Sequence, residues 1–180
     1  MIIFAVIVLV AAIVGFAISA FLLNPIETGC KRFFHRNLTE DATVSEVLFS
    51  FDHHYMNVVK TLFFRDLYIF LWTLLFIIPG IVKSYEYMMI PYLLSENPEM
   101  SKEEAFAMSK SMMQGQKWKA FVLNLSFLGW EILSIFTCGL LSIFYVNPYR
   151  DATLAALYDT LKNGNADHYE VIEEGNVNEL

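Results

Sequence analysis

Residues 1–23 lack any Asp, Glu, Lys, Arg or His, which excludes an ordinary solvent-exposed helix at the start of the chain. Charged residues make up 17% of the whole sequence, against about 25% in an average soluble domain. At 1.5 Å per residue this run forms a helix about 34 Å long, and the hydrocarbon core of a bilayer is about 30 Å thick. Because lipid offers no hydrogen bonds to the backbone, the run predicts a membrane-spanning helix.

Cysteine is also scarce, since the chain contains only Cys30 and Cys138. Two cysteines are too few for a disulfide framework or a cysteine-based metal cluster, and the topology given below places them on opposite sides of a membrane, so we expect no disulfide. His53-His54 has no further His or Cys at ligand spacing. The phosphate-loop, nucleophile-elbow and zinc-protease motifs are absent, as is a basic stripe for nucleic acid. We therefore expect no metal, no cofactor, no nucleic-acid partner and no enzymatic activity.

A cleaved signal peptide is the competing interpretation of the first apolar run, because Ala17-x-x-Ala20 is similar to a peptidase site. A signal peptide begins with basic residues and has a shorter apolar core. This chain has no basic residue before Lys31, and its apolar run is about twice the length of such a core. A retained first span is the favoured interpretation.

The remaining apolar runs and the basic residues between them predict a topology. Asn24-Pro25 is expected to end the first helix, and the basic residues after it place 25–65 on the cytoplasmic side and the N-terminus outside. A second basic cluster follows residue 101, so an even number of crossings between the clusters favours a hairpin turning at Pro79-Gly80. One long kinked helix over 67–94 is the alternative. The predicted spans are about 1–23, 67–79, 81–94, 118–136 and 140–161.

Two amphipathic helices are predicted between the spans, over about 44–65 and 101–115. Each opens with a capping-box pattern in which Ser or Thr precedes Glu by three residues. The first helix lies on the inner leaflet or extends the next span. The second helix either packs on the membrane or the bundle, or presents a methionine-rich surface to a partner protein. The candidate partner-facing residues are Phe106, Met108, Met112 and Met113.

These elements predict an all-α fold: a polytopic membrane bundle of four to five spans with one or two interfacial amphipathic helices. Residues 1–164 form a single membrane domain. The net charge of −7 is concentrated in the segment 165–180, which carries five acidic residues and no Lys or Arg and is predicted to be a disordered, cytoplasmic tail.

Five ionisable residues are candidates for charges at membrane depth, where a charge costs several kcal/mol and marks a function or a tight pair. Glu131 is expected to pair with Lys83 or with Arg150, whose guanidinium suits a carboxylate partner. Such a pair either fixes helix packing or forms a polar site for a substrate, a lipid headgroup or a proton. The candidate intramembrane cluster comprises Lys83, Glu86, Glu131, Arg150 and Asp151.

The chain resembles a bacterial membrane-protein family known as domain of unknown function 975, over roughly residues 22–160. The resemblance rests on Asn24-Pro25-Ile26-Glu27, on Pro79-Gly80-Ile81-x-Lys83, on Ser95-Glu96-Asn97-Pro98, on Met112-Met113-x-Gly115-x-Lys117-Trp118 and on Pro148-Tyr149. The pattern is also similar to a wider group that includes membrane domains attached to some glycerophosphodiester phosphodiesterases. The resemblance implies a multi-pass protein of the bacterial plasma membrane, and no chemistry. Family members usually begin with a short basic helix and a further span, so an N-terminally shortened or mis-started form is one interpretation of this chain.

The sequence thus favours a non-enzymatic integral membrane protein that binds a partner or supports the envelope. Its expected partners are the lipid bilayer and either a membrane protein or a second copy of the chain. An export or immunity component for small solutes or peptides, acting through Lys83, Glu131 and Arg150, is the alternative. A membrane lipid enzyme ranks last, because no catalytic constellation is recognisable.

Overall fold

The computed structural model describes the backbone of residues 1–137 and 139–177, with side chains except at 2, 3, 5, 8, 9, 12, 13, 136 and 165–177. These residues form helices and connecting turns, with no β-strand among them, which confirms the all-α fold. The α-helices are α1 (Ile2–Ile18), α2 (Asn24–Arg36), α3 (Phe49–Asp52), α4 (Tyr55–Leu75), α5 (Ile77–Glu86), α6 (Ile90–Glu96), α7 (Lys102–Met112), α8 (Lys117–Phe136) and α9 (Asn147–Val177). Within the described part of the chain, no helix combines the length and the apolar character needed to cross a membrane.

The helix does not stop at Asn24-Pro25, as the sequence had suggested. A π-helical segment, Ser19–Leu23, joins α1 directly to α2, and a second one, Ser142–Val146, directly precedes Asn147-Pro148. A proline inside a helix lacks an N–H and crowds the carbonyl four residues earlier, and a π-helical turn alters the local hydrogen bonding. The carbonyl of Phe21 receives no backbone N–H from Pro25 and instead accepts a hydrogen bond from the Tyr55 hydroxyl at 2.6 Å.

Helices α4 and α5 form a hairpin, but its turn lies three residues before the predicted Pro79-Gly80. Phe76 has extended backbone angles (φ −154°, ψ 137°) and separates the two helices. Gly80 then allows close packing, because a Cβ at this position would overlap Thr73 of α4. The hairpin favoured by the charge distribution is therefore present, with Pro79 inside the first turn of α5.

The single amphipathic helix expected over 44–65 is divided in the structure. A 3₁₀ segment (Val44–Leu48) and the short α3 come first, and α4 starts after His54, whose φ of 50° lies in the left-handed region. The Thr43 side chain contacts the Ser45 hydroxyl and does not cap the segment. The second predicted amphipathic helix agrees better, since Ser101 accepts a hydrogen bond from the Glu104 N–H at the start of α7.

The last two helices differ from the expected spans mainly at their ends. Helix α8 begins one residue before the predicted 118 and ends at the predicted 136. Helix α9 continues to Val177, past the predicted end at 161 and into the segment expected to be disordered. Residues 178–180 and Cys138 lie outside the described residues.

The core of the bundle surrounds α6, in which every residue from Ile90 to Ser95 is buried. The start of α4, the inner face of α7 and the middle of α9 pack around this short helix. The buried apolar side chains include Val58, Leu62, Met89, Ile90, Leu94, Ala105, Met112, Met113, Ala155 and Tyr158. Because α6 is enclosed by its neighbours, polar groups on the helices around it come together near the centre of the molecule.

Candidate functional site: a central polar cavity and an apolar groove

Five helical regions meet around a cavity of about 200 Å³, here called the central cavity. Helix α2 supplies two charged side chains, α4 supplies two more, and α5, α6 and α9 complete the wall. The residues that define it are Glu27, Lys31, Arg65, Asp66, Tyr92 and Leu154.

Arg65 organises one side of the central cavity. Its Nη2 lies 3.0 Å from Glu27 Oε2, and its Nε donates to Asp66 Oδ1 at 2.9 Å. Asn24, which is buried, donates through Nδ2 to the other Asp66 oxygen at 2.7 Å. Burial alone would lower the pKa of Arg65, but the charges and hydrogen bonds of Glu27 and Asp66 outweigh it and raise the pKa. The guanidinium is therefore held in its charged form between two carboxylates.

Lys31 and Asp151 link α2 to α9 on the opposite side of the central cavity, with Nζ and Oδ1 separated by 2.8 Å. Both side chains are largely shielded from solvent. Cys30 is a free thiol next to this pair, and burial, followed by the charge of Asp151, raises its pKa. The thiol is thus less reactive than an ordinary surface cysteine, because the thiolate is the nucleophilic form.

Tyr92 of α6 forms part of the cavity wall and is 1% exposed. Its ring stacks on the ring of Tyr158, with 5.0 Å between the two centroids. Lys31 Nζ lies over the Tyr92 ring, 5.5 Å from its centroid. The hydroxyl of Tyr92 has no hydrogen-bond partner among the described residues.

The five residues of the predicted intramembrane cluster do not form one cluster. Glu86 is nearly fully buried and lies between Lys83 Nζ, at 2.7 Å, and Lys117 Nζ, at 2.5 Å. Asp151 belongs to the central cavity through Lys31. The pair of Glu131 with Arg150 is present, at 3.3 Å between Oε1 and Nη1. The alternative partner, Lys83, is engaged elsewhere, so the proposed joint action of Lys83, Glu131 and Arg150 has no geometric basis.

Ser142 completes the Glu131 site by donating its hydroxyl to Glu131 Oε2 at 2.8 Å. Both carboxylate oxygens of Glu131 are therefore occupied within the chain. This geometry supports a structural role for Glu131, as a link between α8 and the start of α9. It does not favour an open site for a substrate.

A third network joins α2 to the 3₁₀ segment after it. Glu46 accepts from Arg32 Nε at 2.6 Å and from Arg36 Nη1 at 2.5 Å, and Arg32 also donates to the Ser95 carbonyl. Burial raises the pKa of Glu46, but the hydrogen bonds and charges of the two arginines outweigh burial and lower it. Gly29 permits this contact between segments, because a Cβ there would overlap the Val47 carbonyl.

An apolar groove of about 680 Å³ lies between α6, α7 and α9, and we call it the methionine-lined groove. Its wall is mostly apolar, and charged residues occupy its rim. Lys162 and the Tyr158 hydroxyl both bind Glu96 at one end, each at 2.7 Å. The residues that define the groove are Leu93, Met100, Glu104, Met108, Met112 and Lys162.

The predicted partner-facing set is only partly exposed. Met113 is fully buried and Met112 is 5% exposed, because both pack into the core beside α6. Phe106 packs edge-to-face against Tyr87, with 4.8 Å between ring centroids. Met108 is 42% exposed and lines the groove. The set is therefore corrected: Met108 and one edge of Met112 face the groove, and the other two stabilise the bundle.

No group of three His, Cys, Asp or Glu side chains with metal-binding geometry occurs in the described part of the chain. His54 contacts Glu99 at 2.7 Å, and His53 stacks on Phe49 with 4.2 Å between ring centroids.

The sequence analysis missed the residues of the central cavity. One signal for Arg65 was available, since Val58, Leu62, Arg65 and Ile69 share one face of α4 at helical spacing. The sequence gives no comparable signal for Tyr92, because a tyrosine in an apolar run is typical both of a buried core position and of a membrane-interface position.

Comparison with known proteins gives one family match. The family model described as "Protein of unknown function (DUF975)" matches residues 76–165. No curated protein and no solved structure matches the chain.

Proposed function

We propose that this chain, which belongs to the DUF975 family of unknown function, is a non-enzymatic, multi-pass protein of the bacterial plasma membrane that binds a partner protein in its methionine-lined groove. The groove is the observation that carries the partner-binding part of the proposal. The membrane part is supported by the distribution of exposed apolar side chains.

Large apolar side chains are exposed along α1, the second half of α4 and α8, and at two turns. At the turn between α4 and α5, Phe76, Ile77 and Ile78 are 65–76% exposed. At the turn between α8 and α9, Ile135 and Phe144 are 75% and 77% exposed. Leaving apolar surface in water costs about 25 cal/mol per Å², and soluble monomers rarely expose large contiguous apolar patches. Covering by lipid removes this cost.

The two apolar turns lie at the same end of the molecule. Glu86, at the end of α5, contacts Lys117, at the start of α8, and the neighbouring Tyr85 packs against Phe121, one turn further along α8, so the two helices run antiparallel in this contact. The turn before α5 and the turn after α8 therefore point in one direction. The network around Glu46 lies before the first hairpin, and Glu96 lies between the two hairpins. Basic residues in these segments are expected on a cytoplasmic face.

The methionine-lined groove suits an apolar segment of a partner protein. Methionine side chains are flexible and polarisable, so Met100, Met108 and Met112 can adapt to different apolar side chains. Glu104 lies on the rim and makes no ion pair among the described side chains. This carboxylate complements a Lys or Arg that flanks the apolar residues. The proposed occupant is therefore a basic amphipathic helix of a partner, with its apolar residues at i and i+4 in the groove.

Membrane integration is tested by alkaline extraction of isolated membranes. An integral protein is expected to remain in the membrane pellet and to be released only by detergent. Release of most of the protein by alkali would contradict integration, and a known peripheral protein extracted in parallel controls the treatment.

Partner binding is tested by photocrosslinking in living cells. A photoreactive residue replaces Met108 in the groove or, as a matched control, Met56, which is 64% exposed and lies outside the groove. We expect one discrete protein adduct at Met108 and none at Met56. The Glu104→Arg exchange should abolish the adduct, and Glu104→Asp should retain it, because the Ser101 cap uses the Glu104 backbone and survives both exchanges.

Three results would overturn this assignment of the groove. One is an equal adduct at both methionines, and another is an adduct that is unaffected by Glu104→Arg. An adduct whose mass equals two copies of the chain, or one that contains only lipid, would assign the groove to a different occupant.

A further inference from the structure

We propose that the start of α8 binds the phosphate group of an anionic phospholipid, whose acyl chains lie along the exposed apolar face of the same helix. The inference rests on the membrane integration proposed above and adds a class of lipid to it. Three observations support it: an excess of positive charge, a helix start without a capping group, and an apolar stripe that begins between two lysines.

The charge around the start of α8 is the first observation. Both oxygens of the Glu86 carboxylate are occupied, one by Lys83 Nζ at 2.7 Å and the other by Lys117 Nζ at 2.5 Å. Lys119 is exposed and has no ion pair among the described side chains. The segment 105–130 contains three lysines and no Asp or Glu that could supply a further carboxylate. Because three ammonium groups share this corner with one carboxylate, two positive charges are left without a counter-charge.

The first turn of α8 is the second observation. The unpaired N–H groups and the dipole of a helix make its first turn favourable for anions and unfavourable for cations. The first turn of α8 has no acidic residue, and the side chain of Gln116 makes no capping hydrogen bond among the described residues. Lys117 and Lys119 occupy this turn instead. A bound phosphate offsets the repulsion, since it accepts hydrogen bonds from ammonium groups and from backbone N–H groups.

An apolar stripe on α8 is the third observation, and it distinguishes a lipid from other anions. Trp118, Val122 and Leu125 are spaced at i, i+4 and i+7, so they share one face of the helix, and they are 72%, 46% and 51% exposed. Successive residues are about 100° apart around a helix, which places Lys117 on one side of Trp118 and Lys119 on the other. A basic end on an exposed apolar stripe matches a phospholipid, whereas a soluble phosphate or an acidic peptide has no chains to cover the stripe.

The position of Trp118 agrees with a headgroup site. Its ring stacks on Phe121, with 5.3 Å between the centroids, and stays largely exposed. Tryptophan is enriched at the level of the lipid headgroups. The start of α8 lies at the end opposite the two apolar turns, which is the end expected on the cytoplasmic side. Anionic lipids are attracted to basic residues at this surface of a membrane.

The experiment measures thermal unfolding of the full-length protein in detergent with three probes over a concentration series. Short-chain phosphatidylglycerol is the anionic lipid, phosphatidylcholine with the same chains carries no net charge, and glycerol 3-phosphate lacks the chains. We expect a saturable rise in Tm with phosphatidylglycerol and none of comparable size with the other two. An equal rise with phosphatidylcholine overturns the selectivity for an anionic lipid, and an equal rise with glycerol 3-phosphate leaves an anion site without a lipid. No response to phosphatidylglycerol overturns the site.

Failure of this inference is distinguishable from failure of the proposed function. Alkaline extraction tests membrane integration without reference to any lipid class. A protein that stays in the membrane pellet but does not respond to phosphatidylglycerol loses the lipid site alone. A protein that alkali releases loses the membrane integration on which the site rests.

Lys119→Gln tests the location of the site. The exchange breaks no ion pair among the described side chains, so the variant should fold, and its apparent affinity for phosphatidylglycerol should fall by about fivefold. Lys119→Arg should retain the affinity, because it keeps the charge. Lys60→Gln is the matched control, since it removes the same charge from an exposed lysine of α4, away from the start of α8. Unchanged affinity in Lys119→Gln, or an equal loss in Lys60→Gln, overturns the proposal.

Discussion

At the scale of single residues, most buried charges are paired across helices, and the pair of Glu131 with Arg150 is the one that the sequence anticipated. Its two side chains are about one third exposed, at 34% and 35%. A pair at this exposure contributes about 1 kcal/mol or less in water. The pair is therefore expected to act in packing, with an energy that depends on both members.

Exchange of Glu131 and Arg150 by glutamine tests this role. Each single variant, Glu131→Gln and Arg150→Gln, is expected to lower Tm in detergent by roughly 2–4 °C per kcal/mol lost, because it leaves one charge without its partner. The double variant should recover part of the loss, with a coupling of about 1 kcal/mol. Thermal unfolding of all four proteins measures the coupling.

The matched control for this cycle is Lys119→Gln, a charge removal at a residue for which the structure gives no ion pair among the described side chains. Additive losses in the double variant would show that the two residues act independently and would contradict the packing pair. If every variant keeps the wild-type Tm but loses its activity in cells, the pair is a functional site and not a packing contact.

Glu46 predicts a pH dependence of stability. Its pKa in the folded protein is lower than in the unfolded chain, because Arg32 and Arg36 outweigh the opposing effect of burial. A carboxyl with a lowered folded pKa contributes stability above its unfolded pKa and loses it as pH falls through the folded pKa. Tm should therefore decline as pH falls below about 4.5, and Glu46→Gln should decline less over the same range.

The comparison for Glu46 is Glu104→Gln, since Glu104 is exposed and makes no ion pair among the described side chains. Thermal unfolding from neutral to acidic pH provides the measurement. Parallel pH profiles for the wild type and Glu46→Gln would contradict a contribution from this carboxyl.

At the scale of helices, patterns of apolar and capping residues predicted the presence of most helices. They predicted less well the residues at which the helices begin and end. Helix α8 was predicted to within one residue because a basic segment and a Thr-Cys-Gly turn bound its apolar run. The start of α7 was predicted because the Ser101 cap is local. These features depend on neighbours in sequence, and so the sequence alone determines them.

The ends that sequence patterns misplaced depend on contacts between distant segments. Asn24-Pro25 looked like a stop, but a π-helical segment and the Tyr55 hydroxyl, 34 residues from its acceptor Phe21, let the helix continue. The hairpin turns at Phe76 because Gly80 allows α5 to pack closely on Thr73. Neither contact has a signature in a window of neighbouring residues.

The central cavity was missed for the same reason. Glu27, Arg65 and Tyr92 come from three helices, and their proximity follows from the packing of α2 and α4 around the buried α6. Lys117 was read as part of a cytoplasmic basic cluster, although it contacts Glu86, 31 residues earlier. Charge counting predicts the side of a membrane on which a residue lies, but it does not identify the partner.

At the scale of the whole molecule, apolar turns and charged networks are segregated, and under the proposed membrane integration this segregation predicts an orientation. Both apolar turns lie at one end, because α5 and α8 are antiparallel where Glu86 meets Lys117. The basic segments between the hairpins favour the cytoplasm. The turns are therefore expected to face outwards, with the loop before α7 and the end of α9 inside the cell.

Labelling of single cysteines in intact cells tests this orientation. In the Cys30→Ser background, Cys138, which follows the last residues of α8 in the sequence, should react with a membrane-impermeant maleimide. In a background with both native cysteines replaced by serine, Glu99→Cys, at a side chain 71% exposed in the loop before α7, should react only after permeabilisation. The reverse pattern would invert the topology. Reaction of both positions in intact cells would place them on the same side of the membrane and would contradict a crossing by α8.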